Sequence, residues 1–306
     1  MMGFVATLSP LTARTGEPLT KRMLSLIPSA PRGFTAPLDP RAPILGRLGG
    51  LEVRLARTKA EIRAAQGLRY NVFYEEMSAK PSPLQKVTRR DADGFDRFCD
   101  HLLVFDRAKA GEGTAQIVGT YRLLRQSAAG RSPGFYTAGE FEIDRLVARH
   151  PGLRFLELGR SCVLPDYRGK RTVELLWQGI WAYVIQHRID VLFGCASLAG
   201  TDLTKLSDAL ALLRDSAPAP TEWRVRALEG RRAALAADAV CADPKRALGA
   251  LPPLLKGYLR IGGYVGEDAV VDHQFGTTDV LVVLPVSRIN PRYVSHYGAD
   301  AGRFAA

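Results

Sequence analysis

Glu157, Arg160, Ser161 and Cys162 stand on one short apolar run, Leu156–Val163. After Pro165 a basic, glycine-containing turn follows it, Tyr167-Arg168-Gly169-Lys170-Arg171-Thr172. From Val173 the period becomes helical: Val173, Leu176, Trp177, Ile180, Trp181, Val184 and Ile185 share a face, with Glu174 and Gln178 off it. Phe155–Arg188 therefore reads as strand, turn and helix. A helix entered through such a turn presents unpaired backbone N–H groups and the positive end of its dipole, which is a site for phosphate. Strict alternation puts Glu157, Gly159 and Ser161 on one face of the strand and Arg160 on the other. Ser161 and Cys162 have the chemistry of nucleophiles, but neither has a sequence-adjacent base, so a covalent acyl-enzyme is not expected.

The rest of the chain must position that stretch. With 306 residues, 46% hydrophobic and 24% charged, it can bury a full core. The four cysteines, Cys99, Cys162, Cys195 and Cys241, form no CxxC pair, which argues against a disulfide framework or a zinc site and for a reducing, cytoplasmic setting. A net charge of +11 favours an anionic partner: an acidic protein, an anionic membrane surface or nucleic acid. No run approaches the roughly 18 apolar residues of a spanning helix, so any membrane contact is expected to be peripheral.

Residues 1–50 hold seven of the nineteen prolines and six Lys/Arg against only Glu17 and Asp39, the composition of a disordered arm. The folded part is expected from Leu51, where Leu51, Val53 and Leu55 alternate with Glu52 and Arg54. Thr58-Lys59-Ala60-Glu61 has the form of a capping box opening a helix to about Met77. Arg69 and Glu76 lie on the apolar stripe of that helix. They either pair with each other at the surface or line a polar substrate pocket. A long loop over 79–99 carries Asp91, Asp93 and Asp96. A hairpin of His101–Asp106 and Gln116–Leu124 follows. Glu140, Glu142 and Asp144 bring three acids together; with no His beside them they are expected to be solvated or Arg-paired rather than metal ligands. Val191–Leu198 reads as a strand buried on both faces. Asp202–Leu213 reads as helical, Trp223–Leu228 as a strand, Arg231–Leu251 as a segment of undefined order, Pro252–Arg260 as a short helix and Asp279–Leu284 as a last buried strand. The alternation gives a mixed α/β sheet.

GxSxG, HExxH, Walker A and GxGxxG patterns are absent from the sequence. Val163-Leu164-Pro165-Asp166-Tyr167-Arg168-Gly169-Lys170 resembles the V-x-P-x-Y-R-G-K signature of the GNAT acyltransferase superfamily, whose turn binds the pyrophosphate of coenzyme A or the phosphopantetheine of a carrier protein. The superfamily usually continues R-G-K-G-x-G, whereas Arg171 and Val173 stand at those glycine positions here, which hinders close approach of a bulky pyrophosphate. Leu68–Glu76, Phe95-Asp96 with Asp100–Val104, Gly119–Leu124 and Glu157–Val163 resemble blocks shared by the ornithine N-alpha-acyltransferases and the acyl-homoserine-lactone synthases. Leu192–Asp202, Pro252–Arg260 and Phe275–Asp279 resemble the ornithine branch alone. The likeness covers roughly residues 51–298.

The resemblance implies a GNAT-like core over about 51–200, a mixed sheet flanked by helices, with a helix-plus-strand extension over about 201–298 and a tail at 299–306. It also implies transfer of a long 3-hydroxyacyl chain from acyl carrier protein to the α-amine of L-ornithine, giving lyso-ornithine lipid with no tightly bound cofactor and no metal. On this reading Val163, Arg168, Gly169, Lys170, Arg171 and Thr172 hold the acyl-phosphopantetheine, with coenzyme A the less favoured donor. Arg69, Glu76 and Asp202 contact the acceptor, and Glu157, Arg160 and Ser161 form the catalytic edge. An α-amine is mostly protonated at neutral pH and needs a base, for which Glu157 is the candidate; the alternative is an ion pair with Arg160. A bulge at Gly159 would turn Arg160 toward Glu157 and free a backbone N–H for the thioester oxygen. The basic rim suits an acidic carrier protein, and the same charge suits a cytoplasmic enzyme peripheral to an anionic membrane; nucleic acid is not favoured as a partner. Alternatives are an acyl-homoserine-lactone or other N-acyl amino acid synthase and, of another class, a non-catalytic lipid- or nucleic-acid-binding module.

Overall fold

The computed structural model describes residues 38–233, 239–290 and 293; the first 37 residues of the expected arm and the 299–306 tail lie outside them. Its strands are β1 Ile44–Leu48, β2 Leu51–Leu55, β3 Asp100–Asp106, β4 Ile117–Arg125, β5 Phe155–Val163, β6 Val191–Ala199, β7 Tyr264–Asp272 and β8 Thr277–Pro285. They form one sheet in the order β1-β2-β3-β4-β5-β6-β8-β7. Only the β5–β6 pair is parallel. The helices are α1 Lys59–Tyr70, α2 Pro83–Thr88, α3 Ile143–Arg149, α4 Lys170–His187, α5 Leu203–Ser216, α6 Pro244–Ala250 and α7 Pro253–Arg260.

The sheet begins one strand earlier than expected, so the boundary at residue 50 is corrected. β1 and β2 are a hairpin around Gly49-Gly50, with Gly49 at φ 63° and Leu48 opposite Leu51. Two apolar runs separated by Gly-Gly are the signal of such a turn, because a two-residue hairpin needs positive φ. Trp223–Leu228 is not a strand; Ala227 makes only an isolated bridge to Phe141. β7, a strand not expected from the sequence, pairs with β8 at the edge of the sheet.

Both faces of the sheet are covered. Along β3, Leu102 and Val104 pack with Leu175 and Ile180 of α4, while Leu103 and Phe105 pack with Ala65 and Leu68 of α1, as a period of two requires. Thr58 caps α1, its hydroxyl accepting from Glu61 N at 3.2 Å. The helix then continues as a π-helical turn, Asn71–Glu76.

Two irregularities in β5 shape everything that follows. Its parallel ladder with β6 ends at Glu157 opposite Phe193, although β5 stays paired with β4 to Val163 and β6 with β8 to Ala199. At the point of divergence a Cβ on Gly194 would sit 2.3 Å from the Leu158 carbonyl oxygen, so only glycine fits there. Against β4, Thr120 faces Cys162 and Arg122 faces Gly159, leaving Arg160 and Ser161 together opposite Tyr121. That is a bulge, one residue later than expected, with Arg160 at φ 52°.

Candidate active site

The wedge between β5 and β6 is a cavity of about 290 Å³, lined by Glu157 to Val163 of β5, Cys195 to Ser197 of β6, Leu254 and Leu255 of α7, and Phe73, Met77, Arg168 and Asp279. An outer cleft of about 1110 Å³ adjoins it, sharing Tyr136 and Asp272 and including Glu140.

Glu157 is buried at the closed end. Its carboxylate accepts from Thr137 N at 2.6 Å and Tyr136 N at 2.9 Å, in the 3₁₀ turn Tyr136–Gly139. Burial pushes its carboxyl up, against the opposing pull of those donors. It does not pair with Arg160. The guanidinium of Arg160 lies 3.3 Å from Asp91 and 3.6 Å from Asp93, between the rings of Tyr136 and Phe275 at 4.6 and 4.9 Å. The bulge therefore brings Glu157 and Arg160 to the same cavity without joining them. Ser161 also lines the cavity and is hydrogen-bonded to Tyr121, whose hydroxyl lies 2.9 Å from that of Tyr258 on α7. Burial pushes the Cys162 thiol up to about 12, which leaves it protonated near neutrality.

Arg69 is a correction. It neither snorkels to Glu76 nor lines the cavity: it is fully buried, bound to Asp91 at 2.8 Å and Asp96 at 2.9 Å. Arg122 joins Asp93 at 2.7 Å and Asp96 at 3.2 Å. Arg69, Arg122 and Arg160 thus face Asp91, Asp93 and Asp96 in a charge-balanced network under β4 and β5. Burial alone would raise Asp96, but Arg69 and Arg122 outweigh it and hold its carboxyl far below the usual range. The sequence shows three acids in a loop; that they are the buried floor of the site is set by where that loop packs.

Glu76 is likewise outside the cavity lining. It grips Arg168, with Arg168 Nη2 donating to Glu76 Oε2 at 2.7 Å and Arg168 Nε to the Val163 carbonyl at 3.0 Å. Of the expected phosphopantetheine group, Val163 and Arg168 line the cavity. Gly169 is the N-cap of α4, and Lys170 and Arg171 are exposed in its first turn. Thr172 is buried, and its amide belongs to the open helix end. Tyr167 anchors the turn through a 2.7 Å bond to Asp106.

Asp202 is also corrected. It is exposed and caps α5, accepting from Thr204 N at 3.1 Å and lying 3.5 Å from Lys205. An Asp just before an apolar-periodic run carries that N-cap signal in the sequence.

The acids that do meet at the site come from separate segments. Ligand atoms of Glu140, Cys195 and Asp279 lie within 4.8 Å of one another. Glu140 pairs with Arg231 at 3.1 Å, and Glu142 with Arg145 at 3.0 Å, as expected for two of the three clustered acids. Burial first, then Asp279, pushes Glu140 up to about 7. Burial also raises Asp279, whose partners are the hydroxyls of Thr277 and Ser197. Its sequence signal is weak because strand β8 reads simply as a buried apolar run.

A split parallel strand pair, with an open helix start beyond it, defines a GNAT-type acyltransferase, and residues 68–178 match the model of an acetyltransferase (GNAT) domain. More narrowly, the chain belongs to the family of L-ornithine N(alpha)-acyltransferases. It is 54% identical over 270 residues to the L-ornithine N(alpha)-acyltransferase of Rhizobium meliloti (strain 1021), covering 87% of this chain and 90% of that protein. It is 53% identical over 264 residues to the enzyme of the same name from Brucella abortus (strain 2308), covering 85% and 93%. A solved CoA-dependent acyl-homoserine lactone synthase, BjaI, overlays with TM-score 0.42 at 15% identity, covering 79% of this chain and 83% of that one. The chain is therefore an amide-forming acyltransferase, which sets aside a non-catalytic module. Among the described residues no helix is long and apolar enough to cross a membrane.

Proposed function

We propose that the enzyme transfers a long 3-hydroxyacyl chain from the phosphopantetheine of acyl carrier protein to the α-amine of L-ornithine, releasing lyso-ornithine lipid. One observation carries the reading: the wedge has Arg168 toward its open end and Glu157, a buried carboxylate with no paired cation among the described residues, at its closed end, with a second buried carboxylate, Asp279, on its β8 side opposite Ser197. Arg168 is tied to Val163, six residues beyond Glu157 on β5, roughly 20 Å at strand rise. An extended pantetheine arm bridges such a span, its phosphate at the amides of Lys170 to Thr172 and its thioester near the Arg160–Ser161 bulge. Leu254, Leu255, Met77 and Phe73 supply apolar lining for the acyl chain.

The acceptor's α-ammonium gives a proton to Glu157, whose carboxylate burial makes more basic than an exposed one. The free amine attacks the thioester carbon and the C–N bond forms; the C–S bond then breaks with its electron pair leaving on sulfur, and the second proton shed by the nitrogen as the amide forms passes to that thiolate. A backbone N–H at the bulge polarises the carbonyl oxygen. Ser161, hydrogen-bonded to Tyr121, stands on the bulge where it can relay that second proton to the sulfur. Asp279, with Glu140 beside it, receives the second ammonium of ornithine, which accounts for a buried carboxylate whose direct partners among the described residues are hydroxyls.

Two substitutions separate donor from acceptor. Arg168→Ala is expected to raise KM for acyl carrier protein about tenfold with kcat preserved, and added salt should shrink the difference. Asp279→Asn is expected to raise KM for ornithine about ten- to a hundredfold, the loss of a charge-assisted hydrogen bond, with the donor KM unchanged. Mass spectrometry of the product from mixed amino acids and 3-hydroxyacyl carrier protein tests the whole: acyl-ornithine is expected, and an acyl-lactone or another acyl amine overturns the reading. A donor KM lower for coenzyme A thioesters than for carrier protein would overturn the donor assignment.

A further inference from the structure

Met77, Leu84 and Val87 are large apolar residues left 49%, 62% and 85% exposed within an eleven-residue span beside the cavity. Leu84 and Val87 are three apart on α2 and so share a face. Gln85, on another face, is hydrogen-bonded to Tyr74, and Arg89, at the C-terminal end of α2, pairs with Glu75 and lies over the ring of Tyr70. These ties fix α2 against the π-helical turn that ends just before Met77. The Ser82–Gln85 capping box holds its first turn, Gln85 Oε1 accepting from Ser82 N at 2.8 Å. The apolar residues are therefore presented on a braced element and, among the described residues, remain uncovered.

Charge around the patch has one sign. The acids at this corner, Glu75 and Glu76, are already matched by Arg89 and Arg168. Among the described residues Lys80, Lys86 and Arg90 have no carboxylate partner, and Lys170 and Arg171 continue the positive rim. Exposed aliphatic side chains ringed by unpaired cations are the composition of a segment that settles into the headgroup region of an anionic bilayer. Met77 links patch to chemistry, since it also lines the cavity.

We propose that α2 with Met77 docks the enzyme on an anionic lipid bilayer, Leu84 and Val87 entering the interface and Lys80, Lys86 and Arg90 meeting lipid phosphates. The inference rests on the proposed acyl-ornithine product, an amphiphile that leaves beside Met77 directly into the layer that takes it up. An acidic carrier protein is the other partner a positive surface suits. The carrier must place its pantetheine at Arg168 and the start of α4, and two protruding aliphatics on a neighbouring helix are not needed for that.

The test is co-sedimentation of the full-length protein with phosphatidylcholine vesicles, with and without about 30 mol% phosphatidylglycerol. Binding is expected only to the anionic vesicles and is expected to weaken with salt. The Leu84→Ser/Val87→Ser double variant should bind at least about tenfold more weakly, while its vesicle-free kcat and KM values stay at wild type. Lys80→Glu/Lys86→Glu should do the same. Val87→Trp gives an independent readout: the emission of the introduced indole should shift to the blue on anionic vesicles and be quenched by brominated lipid. Absence of wild-type binding, variants that bind like wild type, or an unshifted indole emission would each overturn the proposal. So would a double variant that keeps vesicle binding but raises KM for acyl carrier protein, because the patch would then belong to the carrier. Vesicle binding needs no turnover, so a protein that docks through α2 yet acylates another amine leaves this inference standing and removes the reading of the acceptor.

Discussion

Glu157→Gln is expected to lower kcat by about 10²- to 10⁴-fold, the usual contribution of a positioned base, with Tm little changed. The separation of those two readouts follows from the geometry. Both carboxylate oxygens accept from backbone N–H groups of Tyr136 and Thr137, so an amide must turn its NH₂ toward one of those donors and forfeits that bond, a cost of about 1–3 kcal/mol. In the opposite direction, burial raises the Glu157 carboxyl in the folded state. Its ionisation therefore opposes folding, by an amount that grows as pH rises from the unfolded carboxylate range toward the folded value. Glutamine carries no such charge, and the two effects offset. In the wild type, activity should fall as pH drops through the raised value, because a protonated Glu157 accepts nothing. That acid limb should flatten in the Gln variant. A variant with normal kcat and a depressed Tm would show that Glu157 only ties β5 to the 136–137 turn.

Arg69→Met is expected to destabilise the fold by about 3–5 kcal/mol, because it leaves buried carboxylates without their counter-charge. Asp91 and Asp96 are 1% and 6% exposed, so water cannot replace the guanidinium. Urea unfolding measures the loss, and a change below about 1 kcal/mol would show that the cluster relaxes or takes up protons. The pH dependence has a definite sign. Asp93 and Asp96 titrate below their ordinary range, since burial is outweighed by Arg122 for the first and by Arg69 and Arg122 for the second. The stability they contribute is present above about pH 4, the unfolded carboxylate value, and is lost as pH falls through the depressed folded values. Removing Arg69 should shrink that acid limb for Asp96. Activity is expected to suffer as well, because Arg160 leans on Asp91 and Asp93.

How legible the site is depends on sequence distance. The strand–turn–helix Phe155–Arg188 is readable because its period changes from two to 3.6 across a Pro and a basic turn, and each half is decided by nearest neighbours. The same holds for the Thr58 cap and for the Asp202 cap. Arg69 is not readable in this way, because a helical stripe shows only that a face is inward; which residues wait there is settled by a loop more than twenty positions away. Glu76 falls near the expected chemistry but one step removed, as the residue that holds Arg168.

By itself, then, the sequence determined the α/β alternation, the strand–turn–helix over Phe155–Arg188 and the chain's place among acyltransferases, all of which rest on local pattern. Tertiary structure alone decided which carboxylates are buried together. Glu140, Asp279 and Cys195 come from a loop and two strands and meet only because β8 lies beside β6 in the sheet. It also decided that the wedge exists. Whether two parallel strands stay paired or part depends on a single close approach, Gly194 against the Leu158 carbonyl, and on a bulge that lets β5 follow β4 instead of β6. Long-range register of this kind is fixed by the summed packing of both faces, which no window of neighbouring residues contains.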